Sequence, residues 1–339
     1  MTRISVVIPT HNRPELLLEA VESIARQSYP AFEIIVVDDG SQPPVDAESL
    51  RKDFGSRIRV IRNEQPMKLT YARNQGVQAA RGEVVTQLDD DDILAPEALE
   101  MGLAALEGNR SLQIVFLGVK GFGERAEHFD RSQERAMQGV LEHAKGQESK
   151  AGIVQFGPQL FDALLASVPM AFQRSVQYRA IWNKVSALRR RVYMLAPDIA
   201  DEEQALHRLR PPLRDSEWAL YAVASCRTAL LNSAVYLQRC DGQGYVSIGS
   251  QRERAVLSGI DIKAHLLRGA REVAELRPWG AEIRRSLASA YFDQSYFYFQ
   301  NGRRFPAYRA LFHALRSRPA ASYLKFGLRM LLPRGRVSD

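Results

Sequence analysis

The first hundred residues alternate between two hydrophobic periodicities. Residues 4–8 form a continuous β-branched apolar run that ends at Pro9, which predicts a strand buried on both faces. Pro14 suits a first helical turn, and apolar residues then recur at helical spacing as far as Pro30. The same alternation predicts strands at residues 34–37, 58–61 and 84–88, and helices at residues 71–80 and from Pro96 onward. We therefore predict an α/β fold in which a mostly parallel sheet is flanked by helices.

Polar clusters follow three of these predicted strands. Residues 10–13 follow the first strand, residues 38–41 follow the second, and residues 89–92 follow the fourth. In open parallel sheets, ligands bind beyond the carboxyl ends of the strands. We therefore expect these three loops to converge on one edge of the sheet and to form a binding site there.

Composition divides the chain into four segments. Residues 1–118 carry the strand and helix alternation and include a fifth predicted strand at residues 114–117. Residues 119–150 are rich in Glu, Arg, Gln and Gly, and we predict a flexible excursion there that is either mobile or helical. Residues 151–252 combine apolar helix-like stretches with one further strand-like stretch, and residues 253–339 are predicted to be a helical C-terminal region.

Composition excludes several classes of protein. The 339 residues are 45% hydrophobic and 25% charged, which is typical of a globular protein. Cys226 and Cys240 are the only cysteines and lack a CxxC spacing, so neither a disulfide framework nor a cysteine-based zinc site is supported. The first apolar run is too short for a signal peptide, and the sequence has no uninterrupted apolar run of about 18 residues. These features predict a cytoplasmic protein.

The net charge of +7 is concentrated near the C-terminus. Residues 303–336 contain nine Lys or Arg residues interleaved with aromatic and aliphatic ones. A basic amphipathic helix of this kind suits an anionic membrane surface, so we expect peripheral contact with the inner face of the cell membrane. Packing of the apolar face on the core is an equally good interpretation, and it is compatible with membrane contact. Nucleic-acid binding would depend on the same charges alone, and we do not expect it.

Four consecutive aspartates at residues 89–92 are the sharpest chemical signal. Adjacent carboxylates repel one another, and the usual remedies are solvent exposure, a raised pKa or a bound cation. Mn²⁺ and Mg²⁺ prefer oxygen ligands and combine one or two carboxylates with the phosphate oxygens of a substrate. A solvated acidic turn or helix start before Pro96 is the alternative interpretation.

Four motifs together point to one family. The segments SVVIPTHNRP, IIVVDDGS, ARNQG and LDDDD resemble, in order and spacing, the N-terminal signature of the family 2 glycosyltransferases, which have the GT-A fold. The resemblance covers about a third of the chain. It implies a metal-dependent, inverting, hexosyltransferase-like enzyme that moves a sugar from a nucleoside diphosphate sugar to a glycan or glycolipid. It further implies a UDP or dTDP donor, a DXD-type site for Mn²⁺ or Mg²⁺, and a role in surface polysaccharide or lipopolysaccharide biosynthesis.

The resemblance also assigns the four segments and the residues of the donor site. It makes residues 1–118 the donor half and residues 151–252 the acceptor half, and it makes Asp91 the direct metal ligand. It implies that the nucleotide sugar contacts Pro9, Thr10, His11, Arg13, Asp39, Arg73, Asp89 and Asp90.

The residue types agree with these implied roles. The Asp39 carboxylate can accept the imide N–H of uracil or thymine, although an isolated aspartate before Gly40 more often caps a turn. The ring of His11 can stack on the base, although a lone histidine is more often a polar surface residue. The guanidinium of Arg73 can clamp a diphosphate, whereas the alternative is an exposed surface arginine.

A second acidic segment, RDSEW, precedes an apolar helix-like stretch in the acceptor half. Inverting family members carry an acid pair in such a place, and Asp215 matches the catalytic position best. Arg214 replaces the usual first acid, which leaves Glu217 as a rival for the role of catalytic base. Asp215 could instead be a helix cap. The altered motif also leaves open a non-catalytic membrane- or glycan-binding protein that retains the fold.

Overall fold

The computed structural model describes residues 2–196, 214–241 and 252–331. The chain forms two compact units. One comprises residues 1–194 together with 199–247, and the other comprises residues 195–198 together with 248–339.

The first unit is an α/β structure. Its strands are β1 (Ile4–Thr10), β2 (Phe32–Asp38), β3 (Ile58–Arg62), β4 (Val84–Gln87), β5 (Ile93–Leu94), β6 (Ile114–Phe122), β7 (Gln147–Glu148), β8 (Ile153–Gln155), β9 (Ser175–Tyr178) and β10 (Thr228–Arg239). Its helices are α1 (Pro14–Ala25), α2 (Ala47–Phe54), α3 (Leu69–Ala79), α4 (Ala98–Glu107), α5 (Ala126–His143), α6 (Leu160–Ala166), α7 (Arg179–Met194) and α8 (Arg214–Ser225). Helix α5 lies within the predicted excursion at residues 119–150, and eighteen residues of that segment are helical.

The strands form one sheet in the order β3-β2-β1-β4-β9-β6-β10-β8-β7, and β5 pairs with β10. Parallel pairing joins β3, β2, β1 and β4, and it also joins β6 to β10. The short strand β9 runs antiparallel between β4 and β6 and links these two parallel groups. The predicted fold class, a mostly parallel sheet flanked by helices, is confirmed.

The core lies where the helices cover the central strands. All seven residues of β1 and all seven of β2 are buried, which explains why both strands are continuous apolar runs in the sequence. On one side, α1 packs Leu17, Val21 and Ile24 into this core. Helix α3 packs closely on β1 at Gly76, where an added Cβ would lie 2.3 Å from Val7 Cγ1. Only glycine permits this approach.

The predicted convergence of the polar loops follows from the parallel register. The ends of β1 and β2 lie side by side, with Thr10 opposite Asp38. The backbone N–H of Asp39 donates to the carbonyl oxygen of Thr10 at 2.9 Å. The Thr10 hydroxyl donates to Asp90 Oδ2 at 2.7 Å, which brings the loop after β4 to the same edge.

The second unit is helical over its described residues, as predicted. It contains α9 (Arg252–Glu272), α10 (Gly280–Gln300), α11 (Arg304–Ser317) and α12 (Ala321–Leu331), with a 3₁₀ turn at Arg277–Trp279. An aromatic cluster holds α10 and α12 together, with the rings of Phe292 and Tyr323 stacked at 4.6 Å. Across residues 2–196, 214–241 and 252–331, no helix is both long and apolar enough to cross a membrane.

Candidate active site at the carboxyl edge of the sheet

The four aspartates of the loop after β4 lie in a tight turn, and the carboxylates of three of them lie close together. The backbone N–H of Asp92 donates to the carbonyl oxygen of Asp89 at 3.1 Å, which closes the turn. Asp89, Asp91 and Asp92 each offer one oxygen, and these three oxygens lie within 4.8 Å of one another. Asp90 instead accepts hydrogen bonds from Thr10 and Arg13.

Asp92 fastens the loop to β10. Its Oδ2 accepts a hydrogen bond from the Tyr236 hydroxyl at 2.7 Å, and its Oδ1 accepts one from Gln238 Nε2 and one from the Arg239 backbone N–H, both at 2.9 Å. Burial raises the pKa of Asp92 to about 7, against the opposing effect of the Arg174 guanidinium. With three donors on a fully buried carboxylate, Asp92 positions the loop.

Asp89 is held by two buried arginines. Arg73 Nη2 donates to Asp89 Oδ1 at 2.5 Å, and Arg174 Nη2 donates to Oδ2 at 2.8 Å. Burial alone would raise the pKa of Asp89, but the charges of Arg174 and Arg73 outweigh it and lower the pKa to about 2. Asp89 is therefore ionised at neutral pH.

Arg13 joins the two remaining aspartates. Its Nη1 donates to Asp90 Oδ1 at 3.1 Å and to Asp91 Oδ2 at 3.0 Å. Burial raises the pKa of Asp90 to about 6, although the Thr10 hydrogen bond and the charge of Arg13 oppose this rise. Burial also raises the pKa of Asp91, and the neighbouring charge of Asp89 adds to the effect. Four carboxylates are thus packed together, and the arginines that contact them do not fully balance their negative charge.

This arrangement fits a divalent cation with oxygen ligands. The Asp89 and Asp91 side chains retain 21% and 12% of their solvent exposure, whereas that of Asp92 retains none. Mn²⁺ and Mg²⁺ commonly bind through one or two carboxylates and complete their shell with phosphate oxygens and water. Asp89 and Asp91 are therefore the residues that could hold a metal, and a cation there would relieve the repulsion that raises the pKa of Asp91.

The loop after β2 forms the neighbouring wall. Asp39 Oδ1 accepts hydrogen bonds from Asn63 Nδ2 and the Met67 N–H, both at 2.8 Å, and Oδ2 accepts one from the Lys68 N–H at 2.7 Å. Each carboxylate oxygen has two lone pairs, so Oδ2 keeps capacity for one further donor. The Nδ1 atom of His11 lies 2.9 Å from the carbonyl oxygen of Asp39.

Asp38 and Gly40 fix the shape of this wall. Asp38 is completely buried, and its carboxylate accepts hydrogen bonds from the Ser41 N–H at 2.8 Å, from the Val45 N–H at 3.1 Å and from Arg62. Gly40 has φ = 78°, and a Cβ there would lie 2.9 Å from the carbonyl carbon of Gln65. The segment DDGS therefore needs its glycine both for the backbone conformation and for the close approach.

The start of α8 lies close to this edge of the sheet. The rings of Trp182 in α7 and Trp218 in α8 stack at 4.8 Å, with an angle of 21° between their planes. Both rings line a small cavity of about 20 Å³ together with Arg73, Gln87, Gln173, Arg174 and Ser175. Asp215 belongs to the first turn of α8, three residues before Trp218, but its side chain lies outside the described part of the structure.

Glu217 is committed to a buried ion pair. Its Oε2 accepts hydrogen bonds from Arg189 Nη2 at 2.8 Å and from Arg189 Nε at 3.2 Å. Both side chains are buried, and Glu217 has no solvent exposure. The pair joins α8 to α7 beside the stacked tryptophans.

The structure brings most of the predicted donor-site residues together. Pro9, Thr10, Asp39, Arg73, Asp89, Asp90 and Asp91 all lie at the carboxyl edge of the central strands, with Arg13 and His11 in the loop after β1. Arg73 is buried, which excludes the alternative of an exposed surface arginine.

Arg174 is a site residue that the sequence analysis missed. It immediately precedes β9, and its guanidinium contacts Asp89, Gln238 and the face of the Tyr236 ring, 4.8 Å from the ring centroid. The following strand has the sequence SVQY, and no local pattern there marks the arginine as a site residue. Its partners could not be identified from the sequence, because they lie 62 to 85 residues away.

Comparisons with known proteins agree with this geometry. Residues 5–164 match the family model described as glycosyl transferase family 2. An uncharacterized glycosyltransferase of Haemophilus influenzae is 32% identical over 113 residues, which is 33% of this chain and 37% of that protein. The alignments with the curated relatives span between 13% and 45% of those proteins' own lengths.

Solved structures share the fold. Residues 1–349 of TarS from S. aureus superpose with a TM-score of 0.57 at 19% identity, covering 94% of this chain and 81% of that one. The same fragment is known in complexes with UDP and with UDP-GlcNAc. The mannosyltransferase PcManGT from Pyrobaculum calidifontis, in complex with GDP-Man and Mn²⁺, superposes with a TM-score of 0.50 at 16% identity and covers 98% of this chain and 81% of that one.

The sheet topology, the loops gathered at its carboxyl edge and these superpositions define a GT-A-like fold. The aspartate cluster at that edge fits a DXD-type metal site. Residues 5–164 are similar in sequence to the family 2 glycosyltransferases.

Proposed function

We propose that the protein is a metal-dependent, inverting glycosyltransferase that moves a sugar from a nucleoside diphosphate sugar to a glycan or glycolipid acceptor. One observation carries the proposal. The Asp89 and Asp91 carboxylates lie beside the Asp39 loop and among three arginines, Arg13, Arg73 and Arg174. Carboxylates for a metal and cations for a diphosphate are the two elements that binding of such a donor requires.

We propose UDP or dTDP as the nucleotide. The remaining acceptor capacity of Asp39 Oδ2 suits the imide N–H of a uracil or thymine ring, and exposed His11 offers a flat ring beside it. The UDP and UDP-GlcNAc complexes of TarS support this choice, and a hexose or its derivative is the corresponding sugar. The GDP-Man complex of PcManGT makes GDP the competitor that the tests include.

We propose that Asp91, with Asp89, holds Mn²⁺ or Mg²⁺ against the diphosphate. A metal bound there would act as a Lewis acid that stabilises the leaving nucleoside diphosphate. The Arg73 guanidinium would donate to the diphosphate, as a planar donor matched to phosphate oxygens. Arg13 and Arg174 would keep the remaining carboxylates compensated, and Asp92 would keep the loop fixed to β10.

We propose Asp215 as the catalytic base. Glu217 is buried with Arg189, whereas Asp215 lies two residues earlier in α8, and that helix reaches the Arg73 and Arg174 cavity through Trp218. The base takes the proton of the acceptor hydroxyl as its oxygen forms a bond to the anomeric carbon. The bond from that carbon to the diphosphate oxygen breaks on the opposite face, so the configuration inverts without a covalent enzyme intermediate.

The acceptor and pathway are proposed from the family resemblance. We propose that the protein acts in the cytoplasm, in surface polysaccharide or lipopolysaccharide biosynthesis. The acceptor would approach from the α8 side, where the buried rings of Trp182 and Trp218 hold α7 against α8 next to the donor edge.

The test is release of nucleoside diphosphate from UDP-, dTDP- and GDP-sugars with Mn²⁺, using water or membrane glycolipid extract as the acceptor. The wild type should release UDP or dTDP. Asp91→Asn and Asp215→Asn should each lower the rate at least about 100-fold, the range expected for loss of a general base or of electrostatic stabilisation. Glu217→Gln serves as the comparison variant for the base.

Two results would contradict the proposal. Tight nucleotide-sugar binding without turnover of any donor would favour the non-catalytic binding protein. Turnover that persists in Asp91→Asn and Asp215→Asn would place the chemistry elsewhere in the protein.

A further inference from the structure

The exposed face of α11 combines large apolar side chains with cations. Phe305 is 80% exposed and Phe312 is 60% exposed, and Arg309 and Arg316 are exposed on the same helix. Their spacing of four, three and four residues places all four on one narrow stripe. The opposite face of α11 packs Ala307, Leu311 and other small or aliphatic residues inward.

The exposed face of α12 follows the same plan. Leu324, Leu328 and Leu331 are 56% to 68% exposed and recur at helical spacing, with exposed Lys325 and Arg329 beside them. The opposite face carries Tyr323, Phe326 and Met330, which pack on Phe292 and its neighbours in the aromatic cluster. The core contacts of α12 are thus made by one face, and the leucines of the other face lie in solvent.

The charge of this segment has one sign. The sequence from residue 303 to residue 331 contains no Asp or Glu. It contains seven Lys or Arg residues, namely Arg303, Arg304, Arg309, Arg316, Arg318, Lys325 and Arg329. Single exposed hydrophobic residues are ordinary. Exposed apolar stripes on two consecutive helices, interleaved with Lys and Arg, are a feature of interaction surfaces.

We propose that the exposed faces of α11 and α12, called here the basic apolar face, bind the surface of an anionic lipid bilayer. Phe305, Phe312 and the three leucines would lie at the boundary between headgroups and acyl chains, while Arg and Lys would reach the lipid phosphates. This inference is independent of the proposed transferase activity, because it rests on the second unit alone.

Charge complementarity selects this occupant over others. A second copy of the chain would bring two strongly cationic faces together, which costs repulsion. A nucleic acid would satisfy the cations but would leave the exposed leucines unused. A bilayer of anionic lipids satisfies both sets of side chains at once.

The test is co-sedimentation of the full chain with vesicles. Phosphatidylcholine vesicles are compared with vesicles that also contain phosphatidylglycerol, each at low and at high salt. Binding should require the anionic lipid and should weaken at high salt, because the Lys and Arg contributions are screened.

Two double variants divide the contributions. Leu324→Ser with Leu328→Ser should weaken binding by roughly tenfold for each leucine removed from the lipid. Arg309→Gln with Arg316→Gln should weaken it by roughly fivefold for each cation and should flatten the salt dependence. All four side chains are exposed, so the helical content and the melting temperature should stay unchanged.

Matched controls remove the same residue types from exposed positions elsewhere. Leu18→Ser with Leu257→Ser, and Arg271→Gln with Arg284→Gln, should leave vesicle binding within a factor of two of wild type.

Three outcomes would overturn the inference. The first is equal binding to neutral and anionic vesicles, or no binding to either. The second is loss of binding in the control variants to the same extent. The third is concentration-dependent self-association, or RNA binding without vesicle binding, that disappears in the Leu324→Ser, Leu328→Ser variant.

Discussion

The buried pair of Glu217 and Arg189 separates structural from catalytic roles in α8. Replacing Glu217 with alanine leaves the Arg189 guanidinium buried without its carboxylate, which is 2.8 Å away in the wild type. Removing one partner of a buried ion pair typically costs about 3–5 kcal/mol. We therefore expect Glu217→Ala to lower the free energy of unfolding of the α/β unit by about that amount.

Replacing both partners should recover most of this loss. In Glu217→Leu with Arg189→Met, both charges of this pair are removed, and apolar side chains fill a similar volume. Such replacements are often neutral or stabilising. The double variant should therefore lie within about 1 kcal/mol of wild type, and the difference from the single variant measures the penalty of the lone buried charge.

The assay is urea unfolding followed by tryptophan fluorescence. Trp182 and Trp218 are stacked next to the ion pair and account for two of the three tryptophans in the chain, so the signal reports on this region. Glu127→Ala is the matched control, because its ion pair with Arg131 is exposed on α5. That control should change stability by less than about 0.5 kcal/mol.

The same double variant tests the assignment of the base. If Asp215 takes the acceptor proton, the folded double variant should keep its sugar transfer rate within a few-fold of wild type. If Glu217 takes it, the rate should fall about 100- to 10,000-fold although the protein is stable. A stable but inactive double variant would therefore refute two assignments: that Asp215 is the catalytic base, and that the Glu217–Arg189 pair has only a structural role.

Three further predictions address the sheet and the donor edge. Glu33 accepts hydrogen bonds from the Ser5 hydroxyl and the Arg81 N–H, both at 2.6 Å, and these bonds lower its pKa below 4.5 despite burial. Glu33→Gln should therefore cost about 1–3 kcal/mol at pH 7, and the difference from wild type should shrink as the pH falls through the lowered pKa, measured by urea unfolding across pH 3–7. Arg174→Lys keeps the charge but loses the planar contacts to Asp89, so calorimetry should show roughly tenfold weaker metal-dependent nucleotide binding, and unchanged affinity would contradict the contact. Gly40→Ala should weaken nucleotide binding and lower the free energy of unfolding by about 1–3 kcal/mol. Gly55→Ala is the control, because Gly55 has the same φ of 78° but open space where the Cβ would lie, so its loss of stability should be smaller. Equal losses of stability in the two variants would refute the role of the Gln65 contact.

The central strands could be predicted from the sequence because a strand buried on both faces consists of a continuous apolar run. The apolar runs predicted at residues 4–8 and 34–37 appear as β1 and β2, and the alternation with helices gave their parallel order. The polar residues that follow each strand were then placed at one edge by the topology alone. In this region the hydrophobic pattern of each segment predicts the same element that the folded sheet contains. The resemblance to a family could therefore be recognised in these residues from the sequence.

The rest of the site depends on contacts that no local pattern records. Four aspartates in a row carry no sign of which one is structural, and Asp92 is distinguished by hydrogen bonds from Tyr236, Gln238 and Arg239, which are more than 140 residues away. Strand β9 joins two parallel groups of strands although it is four residues long. Arg174 enters the site through that strand, so it could be found only after the sheet order was known.

Helix α5 decides between the two interpretations of residues 119–150. The segment has few large apolar residues, and a surface helix with one buried residue, Val140, has nearly the composition of a loop. Its Glu, Arg, Gln and Ala residues are good helix formers, so intrinsic propensity favours the helical interpretation. Residues 126–143 are helical, and the scarcity of apolar residues alone could not separate this outcome from a mobile loop.

The proposed function depends above all on Asp91 holding a divalent cation against the diphosphate of a pyrimidine nucleotide. The most direct test is calorimetric binding of UDP, dTDP, GDP and CDP with and without Mn²⁺, using wild type, Asp91→Asn and the exposed-acid control Asp53→Asn. We expect Mn²⁺ to tighten the binding of UDP or dTDP at least about tenfold in wild type and Asp53→Asn, and we expect Asp91→Asn to abolish this tightening. Nucleotide binding that is indifferent to Mn²⁺ and to Asp91, or no binding of any of the four nucleotides, would contradict it.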